Sequence, residues 1–137
     1  MSESRPTPHI RVVAAVIERD GRYLITQRRP TAIMPLLWEF PGGKVETGET
    51  DAVALARELA DRMAVAVHVG DELFSVVKEY SSYVIDFHVY LCELLSDEVL
   101  KLRINDFRWV ESDELEEYPF PAADQETVEA LLRGDAG

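Results

Sequence analysis

Between Glu39 and Val65 the chain gathers side chains that can handle charge. The carboxylates are Glu39, Glu46, Glu49, Asp51, Glu58 and Asp61, and the cations are Lys44, Arg57 and Arg62. Carboxylate oxygens suit hard divalent cations, and guanidinium forks suit phosphate oxygens. These residues flank a glycine-rich turn, Pro41-Gly42-Gly43, and a helical stretch that carries Arg57-Glu58-Leu59-Ala60-Asp61-Arg62. Asp61 and Arg62 lie three and four residues beyond Glu58, so on a helix the three share one face. Glu58 followed four residues later by Arg62 is also the favourable order for a helical ion pair, worth roughly a few tenths of a kcal/mol.

These groups need elements to hold them. Arg11–Glu18 is apolar and β-branched and stops at Asp20-Gly21, a dipeptide that favours a tight hairpin. Arg22–Arg28 is therefore expected to return antiparallel, followed by a loop from Arg29 to Leu37 in which Pro30 and Pro35 block regular structure. Trp38-Glu39-Phe40 reads as a short strand closed by the Pro-Gly-Gly turn. Thr50 or Asp51 can begin a helix, with Val53, Ala56, Leu59, Ala60 and Met63 as its buried stripe and the charged residues on the other side. Val65–Val77, with a break at Gly70 open, and Tyr83–Leu94 read as strands, as does Asp106–Val110. Ser112 can cap a turn of helix to Glu117. Asp124 can cap a last helix whose Val128, Leu131 and Leu132 face inward. The order is α+β, with a polar tail over residues 1–8 and a single domain over residues 9–134.

Composition narrows the partners. At 137 residues, with 47% apolar and 29% charged side chains, the chain suits one soluble globular domain. A net charge of −12 argues against a nucleic-acid polymer, which needs a basic surface, but leaves room for a single nucleotide. The one cysteine, Cys92, cannot form an internal disulfide. No apolar run approaches membrane-spanning length. A cytoplasmic protein, monomeric or homodimeric, is the expectation.

The run Gly43-x5-Glu49-x7-Arg57-Glu58-Leu59 resembles the first half of the Nudix box, whose pattern is Gly-x5-Glu-x7-Arg-Glu-U-x-Glu-Glu-x-Gly-U, with U aliphatic. Trp38-Glu39-Phe40-Pro41-Gly42-Gly43-Lys44-Val45-Glu46 in front of it is similar to the branch of MutT-type and CTP-type pyrophosphohydrolases. The resemblance implies the Nudix fold, a mixed β-sheet sandwiched between helices. It implies hydrolysis of a nucleoside triphosphate to the monophosphate and pyrophosphate, with Mg²⁺ as cofactor. On the matching positions it makes Gly42 (through its carbonyl), Glu58 and Asp61 metal ligands, Glu58 and Asp61 the catalytic acids, and Gly43, Glu49 and Arg57 structural. Arg28 or Arg29 falls where related sequences place an arginine near the phosphates, with a solvated loop charge as the equal alternative. Asp124 falls at the position that reads the base edge, and helix capping is the other role open to it.

The second half of the box departs from the pattern. Its second glutamate is Asp61, its third is Arg62, and its glycine is Ala64; a later acidic position aligns best with Arg103. Four expected carboxylates thus carry charges that sum to zero. An arginine cannot donate a lone pair to a metal and repels it. At about 4 Å and an effective dielectric near 20, that repulsion of Mg²⁺ is on the order of 8 kcal/mol before relaxation. Arg62 then has two roles open: an ion pair with Glu58, or, with Arg103, a clamp on the β- and γ-phosphates. The functional expectation is a pyrophosphohydrolase whose hydrolysis is weak or lost. The alternative is a metal-independent nucleotide-binding or protein-interaction module.

Overall fold

The computed structural model describes residues 7–32 and 34–133; residues 1–6 of the expected tail lie outside them. Seven strands form one mixed sheet: β1 (His9–Arg19), β2 (Arg22–Gln27), β3 (Trp38–Glu39), β4 (Gly42–Lys44), β5 (Val67–Glu79), β6 (Val84–Leu94) and β7 (Asp106–Val110). Helix α1 (Asp51–Met63) follows β4, a 3₁₀ helix (Ser112–Glu117) follows β7, and α2 (Ala122–Arg133) closes the chain. The spatial order is β3-β2-β1-β6-β5, with β4 on β1 and β7 on β2. β1 runs parallel to β6 and antiparallel to β2 and β4. None of the described helices is long and apolar enough to cross a membrane.

Alternation along β1 divides the core, because successive side chains of a strand point to opposite faces. Val13, Ala15 and Ile17 pack with Leu55, Leu59 and Met63 of α1. Ala14 and Val16 pack on the other face with Leu115, Phe120, Val128 and Leu131 from the 3₁₀ helix and α2. The sheet therefore lies between helices, which is the expected α+β architecture.

Two glycines bring the turn close to the sheet and to α1. β4 was expected only as a turn, yet Gly42 pairs with Ala14 and Gly43 with Val13. A Cβ on Gly42 would collide with the Val13 carbonyl oxygen, and one on Gly43 would collide with the Glu58 carboxylate. Thr50 caps α1 by accepting the Val53 N–H at 3.2 Å.

The buried stripe of α1 differs from the sequence expectation. Ala54, Leu55, Leu59 and Met63 are buried, whereas Val53 is 54% exposed and Ala56 and Ala60 face water. The helix is rotated so that Glu58 and Arg62, half-buried, lie along the inward side between Ala54 and Leu55. Inward charges are tolerated there because each meets an opposite charge. Three further expectations change. β5 starts at Val67 and shifts register on both sides of Glu72, close to the break considered at Gly70. Asp124 does not cap α2, which begins at Ala122; its N–H instead donates to the Pro121 carbonyl at 3.0 Å. Leu132 is 37% exposed rather than inward.

Candidate functional site

At the C-terminal half of α1 a cleft of about 420 Å³ is lined by Arg28, Arg29, Ala32, Glu46, Arg57, Glu58, Asp61, Arg62 and Arg103. Five arginines face three acids, a local excess of positive charge in a chain of net charge −12. The backbone brings these distant residues together. The Arg62 carbonyl accepts the N–H groups of Leu102 (3.1 Å) and Arg103 (3.0 Å), and the Met63 carbonyl accepts that of Leu100 (3.0 Å). Orphan carbonyls at the end of α1 are satisfied in this way, and Arg103 is delivered beside Arg62. Asn105 ties the same loop to the end of β2, donating its N–H to the Gln27 carbonyl at 2.9 Å. Arg28 and Arg29 follow Gln27 directly, and both line the cleft.

The ionic side chains form a ladder of alternating sign. Arg28 Nη1 donates to Glu39 Oε1 at 2.9 Å. Glu39 Oε2 lies 3.8 Å from Arg62 Nη1, and Arg62 Nε donates to Glu58 Oε2 at 2.9 Å. Glu58 Oε1 accepts from Arg57 Nη1 at 2.9 Å. Arg57 grips Glu49 with two bonds of 2.7 and 2.9 Å and reaches the Lys44 carbonyl at 3.0 Å. Glu49 in turn accepts the Glu46 N–H at 2.9 Å. Arg57 and Glu49 thus close the turn onto the helix, and Glu58 sits against Gly43 with both oxygens engaged. Asp61 lines the cleft and is exposed.

Electrostatics differ along the ladder. The Arg57 hydrogen bonds, helped by the Glu46 N–H, hold the Glu49 carboxyl down to about 2. Burial pushes Glu39 above the usual glutamate range, against the pull of Arg28 and Arg62. Asp124 is 6% exposed, and burial followed by repulsion from Glu39 raises it well above the aspartate range. It is placed beside Glu39 and the Phe40 N–H, and is not among the residues lining the arginine cleft.

Sequence reasoning thus named most of the cleft and missed Glu39 as a member of its ion-pair system. The signal was present: a lone acid between Trp38 and Phe40 in an otherwise apolar strand. A separate acidic group, Glu111, Asp113 and Glu114, brings carboxylate oxygens within 4.8 Å of one another. It belongs to the exposed 3₁₀ turn, where the Glu111 N–H donates to Glu114 Oε1 at 2.9 Å. Among the described residues no other three potential ligands converge so closely.

Comparison with known proteins places this cleft in context. A family model described as NUDIX domain matches residues 12–130. A CTP pyrophosphohydrolase of Escherichia coli is 35% identical over 123 residues, covering 90% of this chain and 91% of the relative. An 8-oxo-dGTP diphosphatase of Haemophilus influenzae is 34% identical over 125 residues, covering 90% and 91%. Among solved structures, the E. coli ORF135 protein superposes with a TM-score of 0.77 at 33% identity, covering 93% of this chain and 91% of that one. The MutT protein from Methanosarcina mazei superposes with a TM-score of 0.83 at 24% identity, a likeness of fold, covering 98% of this chain and all of that one.

Proposed function

The chain belongs to the Nudix family, and on that premise we propose that the arginine cleft receives the polyphosphate of a nucleoside triphosphate. The reaction class is the one named for its relatives, a CTP pyrophosphohydrolase and 8-oxo-dGTP diphosphatases. In this chain the reaction, triphosphate to monophosphate and pyrophosphate, is weak or lost. The observation that carries this reading is the Arg62–Glu58 pair at 2.9 Å inside the cleft.

Nudix hydrolases generally use a divalent metal, and the residues present fit a multi-ion Mg²⁺ site poorly. Both Glu58 oxygens are taken by arginines. Arg62 stands where the box pattern has an acid, a later acidic position of the family aligns best with Arg103, and Asp61 is a shorter acid than the glutamate it replaces. The guanidinium of Arg62 supplies positive charge between Glu58 and Glu39, but it cannot coordinate or activate a water. What these residues can do is bind. Arg28, Arg29, Arg62 and Arg103 can donate to phosphate oxygens. Asp124, buried beside Glu39, can exchange hydrogen bonds with a base edge, and a cytosine or adenine amine is the chemistry that suits it.

The test is Mg²⁺-dependent pyrophosphate release from a panel that includes CTP and 8-oxo-dGTP. Turnover at the blank or barely above it is expected, and rapid turnover sinks the reading. The double reversion Arg62→Glu with Arg103→Glu is expected to raise Mg²⁺-dependent hydrolysis by more than tenfold. The arginine excess of the cleft favours one second reading, a metal-independent nucleotide-binding module. Binding of CTP that persists in EDTA and weakens in Arg62→Ala supports it; equal affinity in wild type and variant removes the clamp.

A further inference from the structure

We propose that Glu39 is the positioning residue of a two-arginine phosphate grip, holding Arg28 and Arg62 in register at the cleft. The proposal rests on the reading of the cleft as a polyphosphate site. The two arginines come from different elements: Arg28 follows β2, and Arg62 lies in the last turn of α1. Glu39, on β3, is placed so that each of its oxygens faces a different one of them, at 2.9 Å and 3.8 Å.

Three observations separate this arrangement from an ordinary surface pair. The Glu39 side chain is only 13% exposed, so it is not one of many interchangeable solvated partners. Glu39 does not line the cleft while both arginines do, so its effect on a ligand there passes through them. Arg62 is held from a second side by Glu58 through its Nε. Its guanidinium is therefore fixed by acids on two elements before any ligand arrives. A side chain pre-set in this way loses less conformational freedom on binding than a free arginine. Glu39 acts on phosphate only through the arginines, and no role in bond making is assigned to it.

The proposal makes a prediction opposite in sign to simple electrostatics. Replacing Glu39 by Gln removes a negative charge next to a phosphate site, which by charge alone strengthens anion binding. If Glu39 instead positions the grip, the same substitution weakens it. The experiment measures binding of CTP and of inorganic tripolyphosphate in EDTA by calorimetry. It compares wild type, Glu39→Gln, Glu39→Asp and the Arg28→Ala/Arg62→Ala double variant with and without Glu39→Gln.

Glu39→Gln is expected to lose roughly tenfold in affinity for both probes, the scale of one charge-assisted hydrogen bond. The substitution is expected to change nothing further in the double-alanine background, because the residues it acts through are gone. Glu39→Asp keeps the charge but shortens the reach, and is expected to fall between wild type and Gln. It also serves as the test if the Gln variant does not fold. Unchanged or tighter binding in a folded Glu39→Gln or Glu39→Asp overturns the positioning role and leaves the polyphosphate site standing. A wild-type protein that binds neither probe, in EDTA or with Mg²⁺ present, overturns both together.

Discussion

Glu49 and Glu39 lie ten residues apart on either side of the Gly42-Gly43 turn, and each is paired with arginine. Their side chains are almost equally covered, at 15% and 13% exposure. Yet Glu49 is held down to about 2 while Glu39 is pushed upward. The difference is what does the covering. Glu49 is covered by its own partner, Arg57, at the rim of the fold, where water still surrounds the pair and the hydrogen bonds dominate. Glu39 lies deeper, among β3, α1 and the buried Asp124 of α2, where removing the ion from water outweighs the attraction of two guanidinium groups. An ion pair at a protein's edge is a latch; the same pair inside it is under tension. The latch secures the turn, whereas the buried acid joins two arginines that line the cleft.

The comparison can be broken most completely at the turn between the two acids. Gly42→Ala drives a Cβ into the Val13 carbonyl, a backbone atom that cannot step aside. A loss of more than about 4 kcal/mol, or failure to fold, is expected in urea denaturation. Gly43→Ala meets the Glu58 side chain instead, which can move. A smaller loss is expected there, with the Arg57–Glu58–Arg62 part of the ladder displaced.

A gentler probe is pH, because the two acids have opposite slopes. For Glu49 the folded-state pKa is depressed, so its stabilisation is complete above the unfolded glutamate pKa of about 4.3 and is lost as pH falls towards about 2. Wild type should therefore gain on Glu49→Gln as pH rises through that window. For Glu39 the folded-state pKa is raised, so the folded state holds its proton longer and ionisation costs stability as pH rises. Wild type should lose ground to Glu39→Gln from the ordinary glutamate range upward. Thermal unfolding of both variants over a pH series checks this, and parallel slopes would refute the distinction.

The smallest expected effect sharpens the far end of the same helix. Ala64 terminates α1 with φ 57° and ψ 38°, the left-handed conformation that costs an L-residue about 1 kcal/mol. Ala64→Gly should therefore stabilise by roughly 0.5 kcal/mol once the entropy of the unfolded glycine is offset, read as a small rise in denaturation midpoint. It should leave the ladder untouched. A midpoint lower than wild type would mean that the Ala64 methyl contributes packing that the backbone angle does not reveal.

Much of the fold and of the site was legible in order along the chain. Asp20-Gly21 marked the β1–β2 hairpin, Thr50 the start of α1, and the spacing Gly43, Glu49, Arg57 the turn and its latch. The Arg62–Glu58 pair was legible too, because four residues along a helix is a distance that helical geometry alone sets. The phase of α1 was not. Val53 is as apolar as the residues that are buried, and only the demand that Glu58 meet Gly43 and Arg62 turn inward rotates the helix away from it.

The sequence by itself therefore determined the family, the mixed sheet between helices and the presence of arginine where the box pattern has acid. The tertiary structure alone decided that Glu39 joins Arg28 to Arg62, that Asp124 is buried beside it instead of capping a helix, and that Arg103 borders the same cleft. The physical reason is one of range. Turn chemistry and helical spacing act over a few residues and are written locally. The charge a carboxyl can bear depends on how much water is excluded around it, and residues nearly a hundred positions apart do the excluding.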